Sequence, residues 1–170
     1  MVLLLTAAQA AEKTVDVNGV QLVVDSITDE LLGFNDVTVA LASGDQAYDI
    51  RFADGTCTEV YGLCTMSSLD FQTQNDARAA GTALLAAIDA TSGDPDYDFD
   101  DDRRDIAGCG AAFGCETLIS HQVVLRPDSS FLGSVYVRNA LDNGFDFVSI
   151  TGTTAFRGGP PSLNSRTTML

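Results

Sequence analysis

Apolar and polar residues alternate with a period of two along most of this chain, and with a helical period in one place. Thr14-Val15-Asp16-Val17 and Val20-Gln21-Leu22-Val23-Val24 flank Asn18-Gly19. That dipeptide suits the left-handed backbone of a tight turn, so the pattern predicts a first antiparallel pair. Residues 26–33 are expected to form a short helical turn stopped by Gly33. Residues 36–42 and 47–52 alternate again on either side of Ser43-Gly44-Asp45-Gln46, which predicts a second pair with one wet face. Three further strands are expected at 117–125, 131–137 and 145–153, with turns at Pro127-Asp128 and Asp142-Asn143-Gly144.

The helical period falls at residues 75–90. Thr73 or Asn75 supplies the cap, Asp76 sits in the first turn, and Ala77, Ala80, Leu84, Ala87 and Ile88 share one face. Gly93-Asp94-Pro95 ends this helix, and the stretch from there to Cys115 is rich in aspartate, glycine and alanine, the composition of a long loop. The fold class expected is α+β, an antiparallel β-sheet carrying one main helix and two local disulfides.

Domain organisation follows from the ends. Val2-Leu3-Leu4-Leu5 followed by small residues with Ala8 and Ala10 in an A-x-A pattern makes residues 1–10 a truncated signal peptide, with Ala11 or Glu12 as the mature terminus. Residues 11–157 form a single α+β domain. Residues 158–170, with Gly159-Pro160-Pro161-Ser162, are expected to be a flexible tail.

Four cysteines add a second argument for export. Cys57 and Cys64 are close in sequence, as are Cys109 and Cys115. Short-loop closure favours those two pairings among the three connectivities. The spacings are too wide for the knuckles of a four-cysteine zinc site. No stretch reaches the roughly 20 apolar residues of a bilayer-spanning helix, so no transmembrane segment is expected.

Charge narrows the partners. Asp and Glu number 24 against 9 Lys and Arg, a net charge of −15, and Lys13 is the single lysine. Phosphate-rich surfaces repel such a protein, which excludes nucleic acid. Six of the acids, Asp94, Asp96, Asp98, Asp100, Asp102 and Asp105, fall at alternate or ligand-like positions of a twelve-residue loop. Hard oxygen donors at that spacing make them candidate Ca²⁺ ligands. Phe99 stands where the sharp turn of an EF-hand takes glycine, and Asp105 where it takes a bidentate Glu, so a solvated acidic loop is the competing reading. His121, the only histidine, lies in an expected strand without a G-x-S-x-G nucleophile elbow anywhere in the chain. No catalytic residue is assigned.

Leu32-Gly33-Phe34-Asn35-Asp36-Val37, Tyr48 to Cys57 with its D-G-T-C ending, Gly62-Leu63-Cys64, Asp70-Phe71-Gln72-Thr73, the alanine-rich helix and Gly108-Cys109 with Cys115 together resemble exported bacterial proteins of the PEP-CTERM type, over residues 31–156. The resemblance implies export and an association with exopolysaccharide-producing bacteria, and it supplies no catalytic residues. Gly159-Pro160-Pro161 is not followed here by the apolar helix and basic cluster of the sorting segment.

The function expected is that of a noncatalytic secreted or cell-surface protein with a matrix, adhesion or filament-type structural role, partnered by itself or by exopolysaccharide. No cofactor is required, with Ca²⁺ a candidate. A Ca²⁺-dependent binding module built on the 94–105 loop is the first alternative, and a hydrolase of extracellular polysaccharide using paired carboxylates the second.

Overall fold

The computed structural model describes residues 11–53, 59–60, 65–102, 105–109, 115–126, 129–139, 147–150, 154–156 and 166–169. The segment 1–10 and the pair Cys57 and Cys64 therefore lie outside the described residues.

Among the described residues nine strands form one sheet: β1 (Glu12–Val17), β2 (Val20–Asp25), β3 (Leu31–Leu41), β4 (Gly44–Ala53), β5 (Cys115–Arg126), β6 (Ser129–Asn139), β7 (Phe147–Ile150), β8 (Thr154–Phe156) and β9 (Arg166–Met169). Their spatial order is β1-β2-β3-β4-β9-β5-β6-β7, with β8 also paired to β6. Every pairing is antiparallel except β5 with β9. The helix α1 (Gln74–Asp89) packs against β3, β5, β6 and β7. The fold is thus α+β with one main helix, as the periodicity indicates.

The first hairpin turns where expected. Asn18 and Gly19 take φ of 52° and 85°, the left-handed pair that matches the twist of the flanking strands. The Gly19 amide donates to Asp16 Oδ1 at 3.2 Å, and the Asn18 side-chain amide donates to the Ala90 carbonyl at 2.8 Å. That second bond satisfies an orphan carbonyl at the end of α1, so the turn also docks the sheet onto the helix.

Residues 26–33 do not form a helical turn. Asp25 Oδ1 accepts from the Ile27 and Thr28 amides at 2.7 and 3.1 Å, Asp29 takes φ of 59°, and the Asp25 amide returns to the Glu30 carbonyl at 2.8 Å. An aspartate closing its own turn competes with helix formation, and Leu31 to Gly33 continue into β3 instead. Gly33 is there to allow close approach, not to stop a helix: a Cβ on it would lie 2.0 Å from the Ile50 carbonyl oxygen of β4.

Those amide bonds hold the Asp25 carboxyl below the usual aspartate range. A depressed folded value contributes stability above the unfolded pKa of about 4, and that contribution is lost as pH falls through the folded value. Urea unfolding followed from neutral pH down to about pH 3 should show a falling midpoint. Asp25→Ala should lower stability at neutral pH and flatten this acid limb.

β3 carries a bulge between Phe34 and Val37, where Asp36 has φ of 56°. Arg51 holds it: Nη1 donates to the Phe34 and Ile50 carbonyls at 3.0 and 2.9 Å, and Nη2 to Asn35 Oδ1 at 2.8 Å. The bulge re-phases the strand, so Phe34, Val37 and Val39 are all buried.

Thr73 is the cap of α1. Its Oγ1 accepts from the Asp76 amide at 3.2 Å and donates to Asp76 Oδ2 at 2.6 Å. The buried face is Ala77, Ala80, Gly81, Leu84, Ala87 and Ile88. Its small residues let the helix approach the sheet closely; a Cβ at Gly81 would come within 2.8 Å of Val137 Cγ2. The core between helix and sheet includes Leu22, Val24, Leu31, Phe34, Ile50, Leu84, Ile119 and Val135.

Within residues 158–170, expected to be a flexible tail, Arg166–Met169 forms β9 between β4 and β5, and residues 158–165 and 170 lie outside the described residues. The alternation there is too short to be legible without its neighbours. A strand of four residues is stabilised by what it pairs with.

Candidate functional site

The acidic segment after α1 is the one stretch that sequence singled out for chemistry, and its geometry is that of a chain of side-chain-closed turns. Asp94 Oδ1 accepts from the Asp96 and Tyr97 amides at 3.0 and 2.9 Å. Asp98 accepts with both oxygens, from Gly93 N at 2.7 Å and from Asp101 N at 3.1 Å. Backbone bonds from Asp102 N to the Asp98 carbonyl and from Asp105 N to the Asp102 carbonyl continue the series. Asp96, Asp102 and Asp105 are exposed and Asp94, Asp98 and Asp100 half-buried. Among the described residues no group of three or more His, Cys, Asp or Glu side chains is disposed to hold a metal ion. Four backbone amides thus occupy oxygens of the two carboxylates at the first and fifth positions of the loop.

Apolar residues decide where this segment lies. Phe99, placed at the turn position of the EF-hand pattern, is 2% exposed, and Ile106 is 1% exposed. Both join the core. The Phe99 amide donates to Thr91 Oγ1 at 3.1 Å, Thr91 Oγ1 donates to the Ile88 carbonyl at 2.7 Å, and Asn139 Nδ2 donates to the Phe99 carbonyl at 3.1 Å. Ile106 forms a parallel bridge with Leu31, and the Ala107 amide donates to the Leu31 carbonyl at 2.9 Å. A purely solvated loop is therefore not what forms. Two apolar side chains nail an acidic surface to the protein, because each buried large side chain is worth about 1.5–3 kcal/mol of transfer free energy.

The second cysteine pair closes this region. Cys109 and Cys115 are bonded, with Cα atoms 5.2 Å apart, and both are buried. The bridge ties the end of the acidic segment to the first residue of β5.

Lys13 is the residue that sequence reasoning left without a role. Its ammonium donates to Asp29 Oδ1 at 2.5 Å and sits 5.6 Å from the centre of the Tyr97 ring. The Asp29 hydrogen bond raises its pKa, with Tyr97 a second contributor. The chain's only lysine thus links β1, the β2 to β3 turn and the acidic segment. Its singularity in a chain of charge −15 was the signal that could have marked it.

His121 occupies the bulge of β5, where the register with β6 shifts between Ser120 and Gln122. Burial lowers its pKa below the ordinary histidine value, so the ring is neutral at physiological pH. The neighbouring Ser120 hydroxyl is buried against that of Ser134 at 3.2 Å. What the arrangement can do chemically is hold turns and present carboxylates to solvent. No helix among the described residues is long and apolar enough to cross a membrane. Comparison with known protein families, with characterised proteins and with solved structures finds no match to this chain.

Proposed function

We propose that this chain is a noncatalytic protein of an oxidising compartment, a structural or adhesive component of a bacterial cell surface or extracellular matrix. The observation that carries the reading is the Cys109 to Cys115 bridge, since structural disulfides persist in secreted and envelope proteins and are rare in reducing cytosol. Two features support it. The acidic surface of net charge −15 favours solubility outside the cell and repels phosphate. The carboxylates of 94–105 are used to build turns, the use a structural protein makes of them. The likeness of the D-G-T-C segment and the cysteine order to exported proteins of the PEP-CTERM type points the same way.

Fractionation of producing cells, with mass spectrometry of the native protein before and after reduction, tests this. Recovery outside the cytoplasm with the bridge intact and Ala11 or Glu12 as terminus is the expected result. Cytoplasmic recovery with free thiols overturns it. Calorimetric titration with Ca²⁺ separates the rival use of Asp94, Asp96, Asp98, Asp100, Asp102 and Asp105. The expected result is no saturable heat and no shift of the melting temperature, and either signal would make the protein a Ca²⁺-dependent binding module. Release of new reducing ends from exopolysaccharide would make it a hydrolase.

The bridge also carries a stability prediction. The double variant Cys109→Ser with Cys115→Ser should lose about 2 kcal/mol in urea unfolding, the value for a short closed loop. The wild type should lose the same amount when a reductant is added, and the variant should not respond.

A further inference from the structure

The first hairpin is docked on α1 through a chemically labile dipeptide. Asn18-Gly19 is the turn between β1 and β2, both residues are exposed, and a Cβ on Gly19 would meet nothing within 4 Å. An asparagine followed by glycine is the pair most prone to intramolecular deamidation, because glycine has no side chain to hinder attack by its backbone nitrogen on the asparagine amide carbon. Here the two nitrogens of that reaction are the two that make the turn's hydrogen bonds. The nucleophile, Gly19 N, donates to Asp16 Oδ1 at 3.2 Å. The leaving group, Asn18 Nδ2, donates to the Ala90 carbonyl at 2.8 Å.

We propose that Asn18 is a deamidation site gated by the docking of this hairpin on α1, and that its conversion releases the hairpin from the helix irreversibly. Gly19 N forms a bond to Asn18 Cγ and gives up its proton, the Cγ–Nδ2 bond breaks, and Nδ2 leaves as ammonia. Water then opens the five-membered imide at either of its carbonyls, giving an aspartyl or an isoaspartyl residue with an ionised carboxylate. Nothing is oxidised or reduced, and water is the only co-reactant.

Both steps undo the dock. The imide nitrogen of Gly19 carries no hydrogen for Asp16, and the carboxylate that replaces the Asn18 amide is an acceptor only, with no hydrogen for the Ala90 carbonyl. That carboxylate also faces the last carbonyls of α1, the negative end of the helix dipole, with Asp16 a like charge in the same turn. The isoaspartyl form further lengthens the backbone by a methylene inside a two-residue turn, where Val17 pairs with Val20. Loop length fixes the register of a hairpin, so that pairing is lost. In the folded chain the reaction waits for the turn to open, since both reacting nitrogens are held until it does.

Peptide mapping by mass spectrometry tests this on the full chain, held at mildly alkaline pH either folded or in urea. Mapping separates Asn18 from Asn143-Gly144, the same dipeptide outside the described residues. Asn18 is expected to convert in both samples, between about tenfold and about a thousandfold more slowly in the folded one, the range for breaking two hydrogen bonds of which one is to a carboxylate. A ratio outside that range overturns the gating. Isoaspartyl and aspartyl products together identify the imide route, and aspartyl alone overturns it.

Release is read by hydrogen exchange. The converted chain should exchange the amides of β1 and β2 faster than the unconverted chain. Asn18→Asp, identical to one of the two products, should exchange them faster as well and unfold at a lower urea concentration. Its aspartate tolerates the left-handed backbone that Asn18 adopts at φ of 52°, so the lost donor and the added charge are what the variant reports. Wild-type exchange in both the converted chain and Asn18→Asp overturns the release.

Discussion

Gly33→Ala should unfold this protein or cost it more than about 4 kcal/mol, the range reached only by severe lesions. The methyl would lie 2.0 Å from the Ile50 carbonyl oxygen and 3.0 Å from Arg51 Cα. Both are backbone atoms, so no rotamer change relieves the contact. β3 and β4 would have to separate where Gly33 pairs with Arg51. The loss would spread to the bulge that Arg51 holds through the Phe34 and Ile50 carbonyls. Urea unfolding with far-ultraviolet circular dichroism is the measurement. A variant with a wild-type midpoint would show that β4 can yield at this point, and the close approach would not be a requirement of the fold. Gly93→Ala is the control: its Cβ meets nothing within 4 Å, and only its φ of 76° opposes the substitution, a cost of about 1–2 kcal/mol.

Phe34→Ala should cost about 3–5 kcal/mol, the usual value for emptying an aromatic site in a core. Phe34 is fully buried and packs edge-on to Phe52, with ring centroids 6.2 Å apart. It also sits directly before the bulge, so its neighbours are held by the Arg51 hydrogen bonds and have little freedom to collapse into the cavity. Phe34→Leu should recover most of that loss, because it restores volume without a polar atom. If Phe34→Ala lost less than about 1.5 kcal/mol, the value of partial burial, the helix and sheet would not share a single tight core.

The different fates of similar-looking residues show where sequence reasoning works on this chain. Asn18-Gly19 predicts its hairpin correctly because both residues are suited to φ above zero and the flanking alternation is unbroken. Thr73 and the small-residue face predict α1 to within a residue, because a cap and a 3.6 period are local signals. Residues 26–33 defeat the same approach. Leu31, Leu32 and Gly33 have the composition of a helix end, but the Asp25 turn and the partners of β3 determine the outcome. Arg126 and Ser129 close the β5 to β6 pairing close to where Pro127-Asp128 indicates a turn.

The acidic segment is the sharpest case. Its alternating aspartates look like a ligand set when spacing alone is considered. In the folded protein Asp94 and Asp98 accept from amides of their own loop. Phe99 and Ile106, isolated apolar residues among acids, are the ones that place the segment. Isolation hid them, since periodicity needs several apolar positions to register, whereas burial needs only one.

By itself, then, the sequence determined the class of this protein: a sheet-dominated α+β fold with one capped helix, and a strongly acidic composition. These follow from local propensity and composition, which act within a few residues or on the chain as a whole. Tertiary structure decided what depends on distant neighbours. It placed β9 between β4 and β5, turned Gly33 from a helix stop into a point of close strand approach, and assigned Lys13 to a clamp across three segments. Each of these is a contact between residues far apart in the chain, and such contacts are set by packing that no local pattern encodes.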